Sequence, residues 1–87
     1  AEYYSTLFFL DRDREEQITY VIGLADMYSF ARDDFAADPD DWLIPCLRGK
    51  LPADIHAIFL DWLLDNPAAW RQNPPELFLE AMDQACN

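Results

Sequence analysis

The feature that most constrains this chain is the periodicity of its first long segment. Ile18, Val21, Ile22, Ala25 and Tyr28 recur at the three-, four- and seven-residue spacing of one helix face. The pattern predicts a helix that starts after Asp11 or Asp13 and runs to about Phe35. Either aspartate suits the cap, and Glu15 and Glu16 fall in the first turn, where negative charge complements the helix dipole. A second stripe, Tyr20, Leu24, Met27 and Ala31, widens the apolar face. Such breadth predicts contact with more than one helix or with a second subunit. Gly23 sits mid-helix, where it costs about 1 kcal/mol against alanine. The close approach of a neighbouring helix is the expected reason for it.

The remaining segments also read as helices. Tyr3–Leu10 is too short for its period to be decisive and is read as a short helix. Pro52 opens a helix at the position where its missing N–H costs nothing. Ile55, Ile58, Phe59, Trp62 and Leu63 form its core face, and Asn66-Pro67 ends it. Asn73 is expected to cap a last helix, with Glu76 completing a capping box and Leu77, Phe78, Ala81, Met82 and Ala85 facing inward. Between them, 33–50 reads as a loop broken by Pro39, Pro45 and Gly49, and 67–73 as a second loop carrying Trp70. Glycine occurs twice, and neither Asn-Gly nor Asp-Gly is present. Strands are therefore not expected. The fold class is all-α: a small compact bundle of about four helices, one domain over residues 1–87.

Composition narrows the function. The chain is 52% hydrophobic and 15% aromatic, which excludes intrinsic disorder. It carries 6 basic against 17 acidic residues, a formal charge of −11. Nucleic-acid binding is excluded as a first reading, because phosphate contacts need lysine and arginine. An anionic membrane surface is disfavoured for the same reason. No apolar run reaches the ~20 residues of a membrane span. A basic protein is a natural partner. The opening Ala1-Glu2 suits a terminus left by signal removal, and equally a trimmed chain.

Cys46 and Cys86 are the two cysteines. In an oxidising compartment they favour one disulfide; in a reducing one they are two buried thiols. A cross-link at Cys86 would hold a helix end that otherwise frays.

Catalytic constellations are scarce. His56 is the single histidine, and a Cys46–His56 nucleophile–base pair loses to a disulfide and a solvated helix histidine. One histidine and two distant cysteines make no zinc site. The acidic clusters at 11–13 and 38–41 do not fit the calcium-loop template: counted from Asp11, Glu16 and Ile22 stand where it needs glycine and glutamate, and counted from Asp38, Trp42 stands at the fifth position. No enzyme activity, metal or cofactor is expected.

What remains is a binding surface. The candidate residues are Trp70, Arg71, Gln72 and Asn73, with Asp40 and Asp41 beside Trp42 in the other loop. Tryptophan and arginine dominate interface hot spots. Trp42 is expected to fold back as a core lid, since Leu43, Ile44 and Cys46 follow it. Trp70 is open between lid and contact.

At this point a family resemblance emerges. Tyr20-Val21-Ile22-Gly23-Leu24-Ala25-Asp26 is similar to the conserved helix of the Rap/Tai immunity proteins. Ile44-Pro45-Cys46, Leu51-Pro52, then Phe59-Leu60-Asp61-Trp62-Leu63-Leu64-Asp65-Asn66-Pro67 resemble their following pieces. Pro75-Glu76-Leu77-Phe78, through Gln84-Ala85-Cys86, resembles their closing helix. The pieces span about residues 20 to 86. The resemblance implies an all-helical periplasmic homodimer with a disulfide between Cys46 and Cys86. It assigns Gly23, Asp26 and the cysteines structural roles. It also implies a function: neutralising a peptidoglycan amidase effector of type VI secretion by blocking its cysteine-protease-like cleft. The acidic stretch 33–41 has no place in the family pattern.

Two other classes stand beside it. A periplasmic acid-stress chaperone would need many lysines, and Lys50 is the single one. A helical protein-binding module would use the broad stripe of the long helix as its groove.

Overall fold

The computed structural model describes residues 5–35 and 42–87. Five α-helices and one 3₁₀ turn make up these residues, without a strand among them. They are α1 (Thr6–Asp11), α2 (Arg14–Phe35), α3 (Leu43–Leu47), α4 (Pro52–Asp65), the 3₁₀ turn Pro67–Arg71, and α5 (Pro74–Cys86).

Local chemistry sets these boundaries. Ser5 Oγ accepts from the Phe8 N–H at 3.1 Å and starts α1. Asp13, not Asp11, caps α2: its Oδ1 accepts from the Glu16 N–H at 2.9 Å. Pro52 occupies the first turn of α4, and the Asp54 carboxylate accepts from the Leu51 N–H at 3.3 Å. Asn66 closes α4 by donating its side-chain amide to the Trp62 carbonyl at 2.8 Å.

Three expectations need correction. Helix α2 runs to Phe35 as its periodicity predicts, but within the 33–50 segment read as a loop Leu43–Leu47 is helical; residues 36–41 lie outside the described residues. Pro45 does not break α3, because it sits in the first turn, where an N–H has no intrahelical partner anyway. The chain leaves α3 through Gly49, whose φ of 79° is a left-handed conformation that glycine adopts without strain. Asn73 holds the N-cap position of α5 but makes no side-chain cap bond. Pro75, at the second helical position, removes one of the two donors that such a cap would serve. Ala85 is exposed; the inward stripe of α5 ends at Met82.

The core gathers one face from each helix. Phe9, Val21, Leu43, Phe59, Leu63, Leu77, Phe78 and Met82 are fully buried. Phe59 sits at its centre, 5.2 Å from the Phe9 ring and 5.7 Å edge-on to Phe78. Tyr28 stacks on Phe78 and donates its hydroxyl to the Pro75 carbonyl at 2.9 Å, joining α2 to the start of α5. Trp42 packs half-buried against this core, as a lid. Cys46 and Cys86 form a disulfide with a Cα–Cα distance of 5.8 Å, tying α3 to the last turn of α5. Lys50 donates its ammonium to the Cys46 carbonyl beside it.

Gly23 and Asp26 are exposed on the outer face of α2. A Cβ at Gly23 would meet nothing within 4 Å. No neighbouring helix approaches there, so packing within the described residues does not account for this glycine. Met27, from the second stripe, is also exposed.

Candidate partner-binding surface

Trp70 is reached through the 3₁₀ turn that Asn66-Pro67 forces at the end of α4. Its indole N–H donates to the Leu63 carbonyl at 2.7 Å, and its ring packs half-buried against the core. The ring therefore acts as a lid, with one edge left accessible. Arg71, Gln72 and Asn73 are exposed just beyond it. The Gln72 carbonyl accepts from Thr6 Oγ1 at 2.7 Å, which ties α1 to the end of this turn. Asp40 and Asp41 lie outside the described residues.

Above Trp70 runs an open groove between α1 and α4, about 530 Å³, lined by Leu7, Leu10, Asp11, Gln17, Leu60, Leu64 and Trp70. Its leucines are costly to leave in water: Leu7 is 62% and Leu64 57% exposed. Only one face of α1 turns inward, through Thr6 and Phe9, which leaves Leu7 outside. On α4 the core stripe takes Ile55, Phe59 and Leu63, which turns Leu60 and Leu64 to the other side. The sequence signal was that pair of leucines four residues apart beside the core stripe.

The charge of α4 and α5 is one-sided. Between them α4 and α5 carry Asp54, Asp61, Asp65, Glu76, Glu80 and Asp83, all exposed, and neither helix contains a lysine or arginine. A second hollow of about 410 Å³ lies on the other flank of α4, walled by Trp62, Asp65, Asn66, Gln72 and Glu80. The buried Trp62 indole N–H has no hydrogen-bond partner among the described residues. At the α1 edge, Arg12 pairs with Asp11 at 2.7 Å and lies 4.3 Å from the centre of the Phe8 ring.

Beside the groove lies a buried polar latch that sequence reasoning missed. The Gln17 amide N–H groups donate to the carbonyls of Phe9 at 2.9 Å and Arg12 at 3.1 Å. They close the end of α1, where the Phe9 carbonyl also accepts from the Arg12 N–H at 3.1 Å. The Gln17 oxygen is then the acceptor facing His56 Nε2 at 2.9 Å, so that nitrogen carries the proton. His56 is 4% exposed. The expectation of a solvated helix histidine is thus overturned: His56 is a buried donor joining α4 to the α1–α2 corner. Burial holds its pKa below the ordinary value; the nearby Arg14 charge lowers it further and Asp61 raises it.

The disulfide leaves Cys46 without a thiol, so a Cys46–His56 nucleophile pair does not exist in this state. Asp11 and Asp13 are accounted for by the Arg12 pair and the α2 cap. Among the described residues no helix is long and apolar enough to cross a membrane. Compared with known protein families, curated proteins and solved structures, the chain matches none.

Proposed function

We propose that this chain is an immunity-type inhibitor. It binds a peptidoglycan amidase effector of type VI secretion in the periplasm and occludes the effector's active-site cleft. The observation that carries the reading is the disulfide between Cys46 and Cys86, the two positions that the Rap/Tai-like series of motifs marks, within an all-helical unit. A disulfide of this kind is at home in an oxidising compartment. Occlusion asks for a rigid, pre-organised body rather than a catalytic group, and a cross-linked helical unit loses little entropy on docking. The charge of −11 would steer it onto a basic effector and raise the association rate more than the affinity. In this reading the chain is a homodimer, and Trp70 to Asn73 with Asp40 and Asp41 belong to the contact.

The test is capture followed by inhibition. The oxidised chain is used as bait against lysate of its source organism, at low and then high salt. The expected result is recovery of a cysteine-histidine peptidoglycan hydrolase that the chain inhibits at near-stoichiometric ratio. Arg71→Ala then tests the proposed contact without removing a buried group. A recovered hydrolase that cleaves at full rate with saturating chain present overturns the reading.

A further inference from the structure

We infer that the hollow at the C-terminal end of α4 receives an arginine side chain from a protein partner, with a main-chain carbonyl of the same segment meeting the Trp62 indole N–H. The inference rests on the inhibitor reading for the identity of that partner. It extends the contact from the Trp70 turn, through Gln72, to carboxylates of α4 and α5.

The negative charge belongs to the hollow itself. Asp65 from α4 and Glu80 from α5 both line it, and no lysine, arginine or histidine stands among its lining residues. Neither carboxylate has an ion-pair or hydrogen-bond partner among the described residues. Arg71 precedes Gln72 in the chain, but it does not line the hollow and pairs with neither carboxylate. Asp65 is the last residue of α4, whose final turn carries no basic residue, so the negative end of the helix dipole adds to its charge. The hollow, about 410 Å³, is large enough for one long side chain and the peptide groups beside it.

A second observation, independent of the charge, points to a peptide occupant. Trp62 lines the hollow half-buried, and its indole N–H is enclosed without a hydrogen-bond partner among the described residues. Trp70 is the contrast, since its N–H is held by the Leu63 carbonyl. No such bond opposes a small turn of the Trp62 ring that brings its N–H to an acceptor entering the hollow. An unpaired buried donor is costly, and an acceptor that meets it relieves that cost on binding. An arginine side chain has no acceptor, so the carbonyl must come from the main chain beside it. The indole is also the aromatic ring that attracts a cation most strongly. Arginine fits better than lysine, because its planar fork addresses two carboxylates while it stacks on a ring.

The test uses the oxidised full chain, isotopically labelled for NMR, at physiological salt and neutral pH. The probes are an end-blocked Gly-Arg-Gly peptide, the same peptide with lysine or with neutral citrulline in place of arginine, and ethylguanidinium, which has the head group and no carbonyl. The arginine peptide is expected to saturate, to shift the amides of Asp65, Gln72 and Glu80, and to move the Trp62 indole N–H downfield as it gains an acceptor. The citrulline peptide should bind at least about tenfold more weakly and the lysine peptide about threefold more weakly. Ethylguanidinium should bind about fivefold more weakly, the loss of one hydrogen bond. Asp65→Asn with Glu80→Gln should weaken the arginine peptide about tenfold, as two exposed ion pairs supply. Both carboxylates are exposed, and circular dichroism should report unchanged helicity. Equal binding of the citrulline or the lysine peptide overturns the inference, as does an unchanged affinity in the double variant. Shifts scattered over all the acidic faces overturn the hollow as the site. Ethylguanidinium that binds as tightly as the peptide, or a Trp62 indole resonance that stays in place, overturns the main-chain contact and with it the protein segment. A dimer in sedimentation that the double variant dissociates also overturns the inference, because the occupant is then an arginine of a second copy. A hydrolase whose inhibition is unchanged by the double variant sinks the hollow and leaves the inhibitor reading intact. Arginine-peptide binding in the hollow without any inhibited hydrolase does the reverse.

Discussion

Where α1 turns into α2 the chain is held by one buried amide, and where α3 meets α5 it is held by one covalent bond. Gln17 collects two carbonyls from the end of α1 and the ring of His56 from α4. Cys46 and Cys86 join segments 40 positions apart. The amide stabilises through the folded state, because it supplies bonds to the Arg12 carbonyl and the buried His56 ring that are lost without it. The disulfide acts largely through the unfolded state, by shortening the list of conformations available to it. The two regions should therefore fail under different conditions. Reduction attacks one and protonation the other.

The largest effect should come from the disulfide. Closing a loop of this length stabilises by about 4 kcal/mol in the chain-entropy account. Reduction, or Cys46→Ser with Cys86→Ser, should lower Tm by about 20 °C for a domain of this size. Amide hydrogen exchange with and without reductant sharpens the comparison. Protection should fall in α3 and the last turns of α5 while α1 and the start of α2 keep theirs. Equal loss in both places would mean that they unfold as a single unit.

Gln17→Leu tests the other side. It keeps the bulk and removes the donors for Phe9 and Arg12 together with the acceptor for His56. Stranding these buried groups should cost about 3 kcal/mol. Exchange protection should now fall in α1 first, and the disulfide end should be the region spared. Urea unfolding gives the size of the effect, and exchange gives its location.

Much of this architecture was legible in the sequence. The stripes of α2, α4 and α5 are read from spacing alone, and Pro52 marks the start of α4 without ambiguity. Helix α3 was not legible, because Pro45 has the same letters in a helix's first turn as in a loop. Which of the two applies depends on Trp42 and Leu43 packing against the core. His56 was misread for a related reason: its partner lies 39 positions earlier on another helix. Nothing local to Pro52–Asp65 announces that contact. The groove was half legible, since Leu60 and Leu64 fall off the core stripe, whereas Leu7 and Trp70 join them only once α1 docks on the 3₁₀ turn. Trp70 carried a strong compositional signal as a contact residue. Its bond to the Leu63 carbonyl depends on how that turn folds back.

Gly23→Ala is a control belonging to neither region. The site is exposed and a Cβ there meets nothing within 4 Å. The substitution should raise stability by about 1 kcal/mol, the helix-propensity difference, and shift the urea midpoint without changing exchange at either region's weak point. A loss of stability would show that the glycine serves a contact beyond the described residues of a single chain, and a second subunit would then be the first candidate.

The smallest effect is a pH dependence confined to the amide side. His56 is held below its ordinary pKa by burial first and by the Arg14 guanidinium second, with Asp61 pulling the other way. The unfolded chain therefore takes up a proton near pH 6.5 that the folded chain still resists. More protons bound in the unfolded state means that stability rises with pH. The contribution of His56 is complete above about pH 6.5 and is lost as pH falls from there through the folded-state pKa. Urea midpoints at about pH 7.5, 6.5 and 5.5, a window that spans the ordinary histidine pKa, should fall in the wild type. They should fall less in His56→Gln, which keeps a donor for Gln17 but does not titrate. Carboxylate titration is common to both proteins and cancels in the difference. Arg14→Gln should flatten the slope partway, since it removes the second cause and leaves the first. The disulfide end supplies the contrast, because its two cysteines are bonded to each other and do not titrate. If the doubly serine-substituted chain shows the wild-type slope, the two regions are independent; if its slope collapses, the latch holds only while the covalent tie holds.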